Sequence, residues 1–110
     1  MQAFAITKNV RMSAQKMREM VRQIQGLPAA QAQAVLKVVP RKSARVVAKT
    51  LQSAMANAEN NNNAKTEKLW VKEAVAGTAA SIRRFTPKAR GSAGPIIKRS
   101  CHVKITVSDE

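Results

Sequence analysis

The stretch from Gly77 to Arg99 constrains the fold most, because it holds many cations and almost nothing that a core can bury. It reads GTAASIRRFTPKARGSAGPIIKR, and no Asp or Glu occurs from Ala74 through Ser108. Small residues begin it, and Pro87, Gly91 and Gly94 favour turns in its second half. An isolated two-stranded ribbon is marginal in water. We therefore interpret this stretch as a long hairpin arm that becomes ordered on a polyanion.

The charge of the whole chain points to the same kind of partner. Its 110 residues include 20 Lys and Arg and 6 Asp and Glu, a net charge of +14. Nucleic acid is the usual partner of so basic a chain, and an anionic membrane surface is the weaker alternative. No window approaches the roughly 18 apolar residues of a membrane span, and the N-terminus lacks the apolar run of a signal peptide. We expect one cytoplasmic domain, residues 1–110, with an extended hairpin at about 77–99.

Residues that carry out chemistry are too few for an enzyme or a metal site. Cys101 is the only cysteine and His102 the only histidine, so neither an internal disulfide nor a four-ligand zinc site can form. No nucleophile–base set, carboxylate pair or phosphate-binding glycine loop can be assembled. We predict a non-enzymatic protein with no cofactor, no metal and no small-molecule substrate.

Periodicity predicts a short strand and two helices in the first 40 residues. Weak alternation over Ala3–Lys8 predicts an edge strand. Ser13 as N-cap, apolar residues at helical spacing and Gly26 predict a helix over 13–25. A second short helix begins near Pro28 and ends before Pro40. Its predicted buried side consists of Ala30, Ala34, Val35 and Val38, with Leu27 and Leu36 added.

The longest helical pattern runs from Arg41 to Asn60, and the asparagines at 60–63 end it. Its apolar stripe consists of Ala44, Val47, Leu51, Ala54, Met55 and Ala58. Four cations crowd its first two turns: Arg41, Lys42, Arg45 and Lys49. Because cations oppose the helix dipole at this end, contact with phosphates explains their position better than stability does. For any one of them, a solvated face is an equally good explanation.

Two alternating segments predict half-buried strands in the second half of the chain. In the first, over Lys65–Val75, one face holds Leu69, Val71 and Val75, and the other holds Trp70, Lys72 and Ala74. In the second, over 97–107, one face holds Ile97, Cys101, Val103, Ile105 and Val107, and the other holds Lys98, Ser100, His102, Lys104 and Thr106. If these strands pair throughout, each arm projects about ten residues, on the order of 30 Å. A flexible cationic loop without a defined target is the alternative.

The spacing of the basic residues resembles a known family. Arg83 is followed by R-F-T-P, then Lys88-A-R-G-S, nine further residues, and the alternating strand His102-V-K-I-T-V. This pattern is similar to the signature of the bacterial large-subunit ribosomal protein twenty-two family. R-M-S-A-Q-K-M-R at 11–18 and S-A-M-A-N-A-E-N at 53–60 resemble its N-terminal and long-helix segments, so the resemblance covers the whole chain. Lys88 stands where the family usually has Arg or His, which keeps the charge and loses the bidentate fork.

The resemblance implies an α+β fold in which three helices pack on a small three-stranded antiparallel sheet and a long β-hairpin protrudes. It implies a cytoplasmic, ribosome-bound constituent of the large subunit that binds ribosomal RNA, contacts neighbouring ribosomal proteins and supports assembly. It further implies that the hairpin tip lines the nascent-peptide exit tunnel, where changes affect macrolide resistance. The alternative is an architectural DNA-binding protein with a basic arm. Such a protein normally dimerises, and we expect a monomer because the sequence shows no spare apolar face.

Two sets of residues carry these expectations. The candidate RNA-binding residues are Arg11, Ser13, Lys16, Arg18, Arg41, Lys42, Arg45, Arg83, Arg84, Lys88, Arg90, Gly91, Lys98, Arg99 and His102. The predicted tunnel-lining tip is Arg83, Arg84, Phe85, Thr86, Pro87, Lys88, Ala89, Arg90, Gly91, Ser92 and Ala93. If this tip lines a tunnel, its small residues matter through shape as much as its arginines do through charge.

Overall fold

The computed structural model describes residues 2–63, 65–79, 82–87, 91 and 93–109, with the backbone alone at 62, 66, 82–87 and 93–97. The strands are β1 (Gln2–Val10), β2 (Trp70–Thr78), β3 (Ile82–Pro87), β4 (Ala93–Lys98) and β5 (Cys101–Ser108). The α-helices are α1 (Ala14–Ile24), α2 (Ala29–Val38) and α3 (Lys42–Asn62). One 3₁₀ turn, Thr66–Lys68, precedes β2.

Strand β5 is the centre of a three-stranded antiparallel sheet with the order β1-β5-β2. The alternation of its sequence explains this place, because one whole face is apolar. Cys101, Val103, Ile105 and Val107 are each 0% exposed, and α1 and α3 pack against the sheet. Strand β1 lies at the edge, as predicted. Three helices on a three-stranded antiparallel sheet confirm the predicted α+β class.

Helix α1 begins as the sequence predicts. The backbone N–H of Lys16 donates to the Ser13 hydroxyl at 3.4 Å, so Ser13 caps the helix. The buried side of α1 includes Met17, Met20, Val21 and Ile24, all at most 2% exposed. Gly26 follows with a φ of +86°, a conformation that glycine adopts without steric cost.

Helix α2 lies where it was predicted, and its buried face is different. Ala29, Ala32 and Leu36 are buried, whereas Ala30 and Ala34 are exposed and Val38 is 79% exposed. The sequence AAQAQAVLKV is apolar on several sides, so that its periodicity does not single out one stripe. Contact with α3 and with the start of β2 selects the face instead, and the N–H of Ala29 donates to the Leu69 carbonyl at 3.0 Å.

Helix α3 buries the predicted stripe in full. Ala44, Val47, Leu51, Ala54 and Ala58 are 0% exposed and Met55 is 6% exposed. The helix extends two residues beyond the predicted end at Asn60, and Asn63 then ends it in the left-handed conformation at φ +53°. Hydrogen bonds tie α3 to β1: the Asn57 amide donates to the Phe4 carbonyl at 3.0 Å, and the Thr7 and Thr50 hydroxyls lie 2.6 Å apart.

Strand β2 has a register shift between Val71 and Glu73, which corrects the predicted alternation. Val71 and Ala74 are buried, Ala76 is 8% exposed, and Val75 turns outward with 42% of its surface exposed. A bulge adds one residue to one strand, so that every later side chain changes face. Val75 was therefore wrongly assigned to the face of Leu69 and Val71.

Strands β3 and β4 form a separate two-stranded antiparallel sheet, from Ile82 opposite Lys98 to Pro87 opposite Ala93. The single strand predicted over 97–107 is thus two strands, and exposed Arg99 lies between them. Gly94 pairs with Thr86 inside the ladder, and the prediction that it is a turn residue is wrong. The radius of gyration is 17.0 Å, against about 13 Å for a compact chain of this size. How far the hairpin protrudes stays a prediction.

Candidate nucleic-acid interface

A cleft of about 300 Å³ lies where the start of α1 meets the ends of β2 and β4. We call it the junction cleft, and its lining residues are Ser13, Ala14, Gln15, Arg18, Thr78, Ala79, Arg99 and Ser100. Backbone pairing between the two segments continues one residue beyond the three-stranded sheet here, since the N–H of Ala79 donates to the Ser100 carbonyl at 3.0 Å. The cleft therefore combines two arginines with hydroxyls at the place where the hairpin leaves the body.

Arg18 is held in position by the sheet edge. Its Nε donates to the Ala76 carbonyl at 3.2 Å, while the side chain remains exposed overall. The terminal nitrogens of the guanidinium are thereby left to meet an anion in a forked geometry. Arg99 is exposed on the other wall of the cleft. Two candidate residues that are 81 positions apart in sequence thus face one space.

A second cleft, of about 340 Å³, lies on the other side of α1. We call it the α3 cleft, and it is lined by Met12, Lys16, Glu19, Arg41, Lys42 and Ser43. Lys42 Nζ donates to the Arg11 carbonyl at 3.2 Å, and Arg41 Nη1 lies 3.3 Å from Glu19 Oε2. Both side chains of that ion pair are more than half exposed, so it adds little stability. The two clefts together place a band of cations around the first turns of α1.

Other candidate residues lie outside this band. Arg45 lines a third cleft of about 520 Å³ with Lys37 and Lys49, between α2 and α3. Lys98 is exposed at the end of β4. Gly91 has the φ of +73° that its predicted turn role requires. Lys88, Ala89, Arg90 and Ser92 of the predicted tip lie outside the described residues. Arg83, Arg84, Phe85, Thr86, Pro87 and Ala93 are described only by their backbone.

His102 lies on the sheet face opposite the helices, away from both clefts. Its Nδ1 accepts from the N–H of Asn9 at 3.1 Å, at the register shift of β1 where Asn9 has a φ of +57°. A neutral imidazole that accepts at Nδ1 carries its proton on Nε2. On the same face Lys104 Nζ lies 5.0 Å from the centre of the exposed Phe4 ring, a cation–π contact. His102 thus contributes a hydrogen-bond donor to a different surface from the clefts.

Chemistry other than binding has little support in the described part of the chain. There, no group of three His, Cys, Asp or Glu side chains could hold a metal ion. Burial raises the pKa of the Cys101 thiol, which keeps it in its unreactive protonated form. Among the helices described, none is long and apolar enough to cross a membrane.

Sequence reasoning missed several residues that line the clefts. Gln15, Thr78 and Ser100 line the junction cleft, and Ser43 lines the α3 cleft. Gln15, Ser43 and Ser100 are each adjacent to a predicted cation, whereas Thr78 lies five residues before Arg83. Charge patterning finds the cations, but neutral donors such as these become visible only after strand register and helix packing are known.

The chain is similar to known proteins over almost its entire length. A family model described as "Ribosomal protein L22p/L17e" matches residues 5–108. A protein of Opitutus terrae named "Large ribosomal subunit protein uL22" is 49% identical over 109 residues, 99% of this chain and 96% of its own. Proteins of the same name from Clostridium novyi and Finegoldia magna are 44% and 45% identical, over 98% and 97% of their lengths. The similarity thus extends well beyond the motif at 83–102.

Proposed function

The chain belongs to the ribosomal protein L22p/L17e family, as its sequence predicted, and from that premise we propose that it is a structural, non-enzymatic component of the large ribosomal subunit that binds ribosomal RNA directly. The cytoplasmic location predicted for it is that of the bacterial large subunit. The observation that carries RNA binding is the band of cations around α1, where Arg18 and Arg99 share one cleft and Lys16, Arg41 and Lys42 share the next. Neighbouring ribosomal proteins are its other expected contacts.

The geometry of the junction cleft suits a sugar–phosphate backbone. Arginine presents a planar fork that matches two phosphate oxygens, and Ser13 retains its hydroxyl proton because its oxygen accepts from Lys16 N–H. Contacts of this kind fix the position of a protein on RNA without reading sequence. They lie at the base of the hairpin, so RNA bound there orients the arm relative to the body.

The hairpin tip is the part of the chain that we assign to the nascent-peptide tunnel. The paired backbone of β3 and β4, and the 62 Å longest extent of a chain only 25 Å wide, are what an inserted arm requires. Gly91, with its positive φ, allows a tight turn near the tip. The tunnel itself is an expectation from the family, and the predicted tip residues 83–93 carry it.

The salt dependence of binding to large-subunit ribosomal RNA tests direct binding at the junction cleft. Each phosphate contact contributes roughly 0.7 to 0.9 to the slope of log K against log salt. An Arg18→Gln/Arg99→Gln variant should therefore reduce the magnitude of the slope by about 1.5. At 0.1 M salt this corresponds to an affinity about 30-fold weaker than that of wild type. The control is Lys65→Gln/Lys68→Gln, which removes the same charge from exposed positions outside both clefts.

The control separates a local contact from general charge. Equal losses in the two double variants would mean that total charge alone drives binding, and would refute the assignment to the cleft. Wild-type affinity for a mixed-sequence DNA duplex equal to that for ribosomal RNA would favour the architectural DNA-binding alternative. Circular dichroism of each variant shows whether the fold is intact.

A further inference from the structure

We propose that the N-terminus of α3 and the side chain of Ser43 form a binding site for one phosphodiester group of RNA. The site is the α3 cleft, in which Lys16, Arg41 and Lys42 supply the positive charge. This inference rests on the proposed RNA-binding function and names the chemical group that one part of the surface recognises. Its distinguishing feature is recognition by neutral backbone and hydroxyl donors in addition to cations.

The first backbone amides of α3 are available as donors. Arg41 is the N-cap residue, and it makes no side-chain capping hydrogen bond. The N–H of Arg45 returns to the Arg41 carbonyl at 3.4 Å, which leaves the amides of Lys42, Ser43 and Ala44 without a helical acceptor. Such amides, at the positive end of a helix dipole, are a common arrangement for binding phosphate. No acidic residue occupies the first turn of α3.

Ser43 supplies the second, independent observation. It is only 2% exposed, yet it lines the α3 cleft. Among the described residues its hydroxyl has no hydrogen-bond partner, in contrast to buried Thr50, which donates to the Val46 carbonyl at 2.9 Å. No fully enclosed side-chain oxygen or nitrogen of the described part lacks a partner, so the Ser43 hydroxyl must open onto the cleft. An anion in the cleft would therefore give the Ser43 hydroxyl an acceptor.

The charges around the site favour an anion despite one carboxylate. Glu19 lies in the cleft, but its Oε2 is 3.3 Å from Arg41 Nη1, which offsets its charge locally. Lys16 and Lys42 remain as the net charge, and the bond from Lys42 Nζ to the Arg11 carbonyl holds that ammonium beside α3. The remaining positive charge attracts the single negative charge of a phosphodiester.

The other two helices provide controls within the same molecule. The first turn of α1 is capped by the Ser13 hydroxyl, and the first amide of α2, that of Ala29, already donates to the Leu69 carbonyl. Neither start combines free amides with an unpartnered buried hydroxyl. A group that binds helix starts in general would perturb α2 as well as α3, whereas the proposed site predicts no effect at α2.

The first test is an amide NMR titration of the free protein with dimethyl phosphate, a phosphodiester that contains no base or sugar. The amide resonances of Lys42, Ser43 and Ala44 should shift in a saturable manner at millimolar concentration. Those of Ala30 and Gln31, in the first turn of α2, should stay unchanged. Equal shifts at the start of α2, or no shift at α3, would overturn the site.

The second test compares Arg41→Ser with Arg41→Gln in binding to large-subunit ribosomal RNA. Both variants remove the same charge and the same contact with Glu19, but serine at an N-cap occupies the free amides with its own oxygen. Arg41→Ser should therefore bind RNA about fivefold more weakly than Arg41→Gln, although it should melt at a higher temperature. Equal affinities of the two variants would overturn the site. The same comparison with Ser43→Ala should show a loss of about threefold against wild type, and an unchanged affinity would exclude the hydroxyl from the site.

These tests distinguish failure of the site from failure of the proposed function. If wild type binds ribosomal RNA and the two Arg41 variants bind equally, direct RNA binding stands and the α3 site is wrong. If wild type does not bind ribosomal RNA, the proposed function is wrong, and the dimethyl phosphate titration still decides the site.

Discussion

The hydroxyl pair that joins β1 to α3 makes an asymmetric prediction about stability. Thr50 is 1% exposed and donates its single hydroxyl proton to the Val46 carbonyl. The Thr7 hydroxyl, 2.6 Å from that of Thr50, must therefore be the donor between the two. Removing the Thr50 hydroxyl leaves the Thr7 hydroxyl without its acceptor. Removing the Thr7 hydroxyl instead leaves the hydrogen bond from Thr50 to the Val46 carbonyl in place. The two threonines should not be equally sensitive to substitution.

Thr50→Val keeps the shape of the side chain and opens no cavity, so the cost is that of an unsatisfied half-buried hydroxyl. We expect the free energy of unfolding to fall by about 1 to 2 kcal/mol. Thr7→Val should cost no more than about 0.5 kcal/mol, because its strand position favours a β-branched side chain. In a chain of 110 residues, about 1 kcal/mol lowers the melting temperature by roughly 4 °C.

Urea unfolding of the two single variants and the double variant, followed by circular dichroism, measures the three free energies. The double variant should be no less stable than Thr50→Val alone, since it no longer contains a Thr7 hydroxyl without an acceptor. The coupling energy should be about 1 kcal/mol. Equal costs for the two single variants, or strict additivity, would refute this hydrogen-bond assignment.

Four further predictions follow from the same structure. Ser13→Ala removes the cap of α1 and should destabilise the fold by about 1 kcal/mol, as measured by a thermal melt. The control is Ser53→Ala, at an exposed position within α3. Equal losses of stability in the two variants would count against the cap. Because burial raises the pKa of the Cys101 thiol, its contribution to stability should be complete below the unfolded pKa and fall as the pH rises past it. Cys101→Ser should remove that loss of stability above the ordinary thiol pKa, and an identical pH profile would refute it. Since the net charge is +14, the melting temperature of the free protein should rise with sodium chloride; a temperature that falls with salt would contradict self-repulsion. Deletion of 82–84 should leave the body folded and subunits assembled while it changes macrolide sensitivity, and failure of assembly would argue against a separate role of the hairpin.

The sequence predicts those elements whose burial pattern has one solution. In α3 the apolar stripe follows helical spacing over four turns, and all six predicted residues, from Ala44 to Ala58, are buried. In β5 strict alternation fixes which side chains face the helices. The start of α1 was equally clear, because Ser13 satisfies the first-turn amides locally and needs no distant partner.

The errors occur where tertiary contacts overrule local pattern. Helix α2 is apolar on several sides, and only its neighbours decide that Leu36 is buried while Val38 is 79% exposed. In β2 the register shift near Lys72 turns Val75 outward, and nothing in the alternation marks it. The clefts have the same origin: no local pattern relates Arg18 to Arg99, which approach because the chain returns antiparallel along β2.

The placement of charge at the helix starts separates an RNA-binding body from one that is merely basic. None of α1, α2 and α3 has an acidic residue in its first turn. An acid at each start would stabilise the free protein by about 0.3 to 1 kcal/mol, and α3 instead begins with Arg41 and Lys42. Excess charge alone has no reason to accumulate where the helix dipole opposes it. If RNA binds as proposed, a phosphate between those cations and the free amides makes the arrangement favourable, and bound RNA restores stability that the free chain gives up.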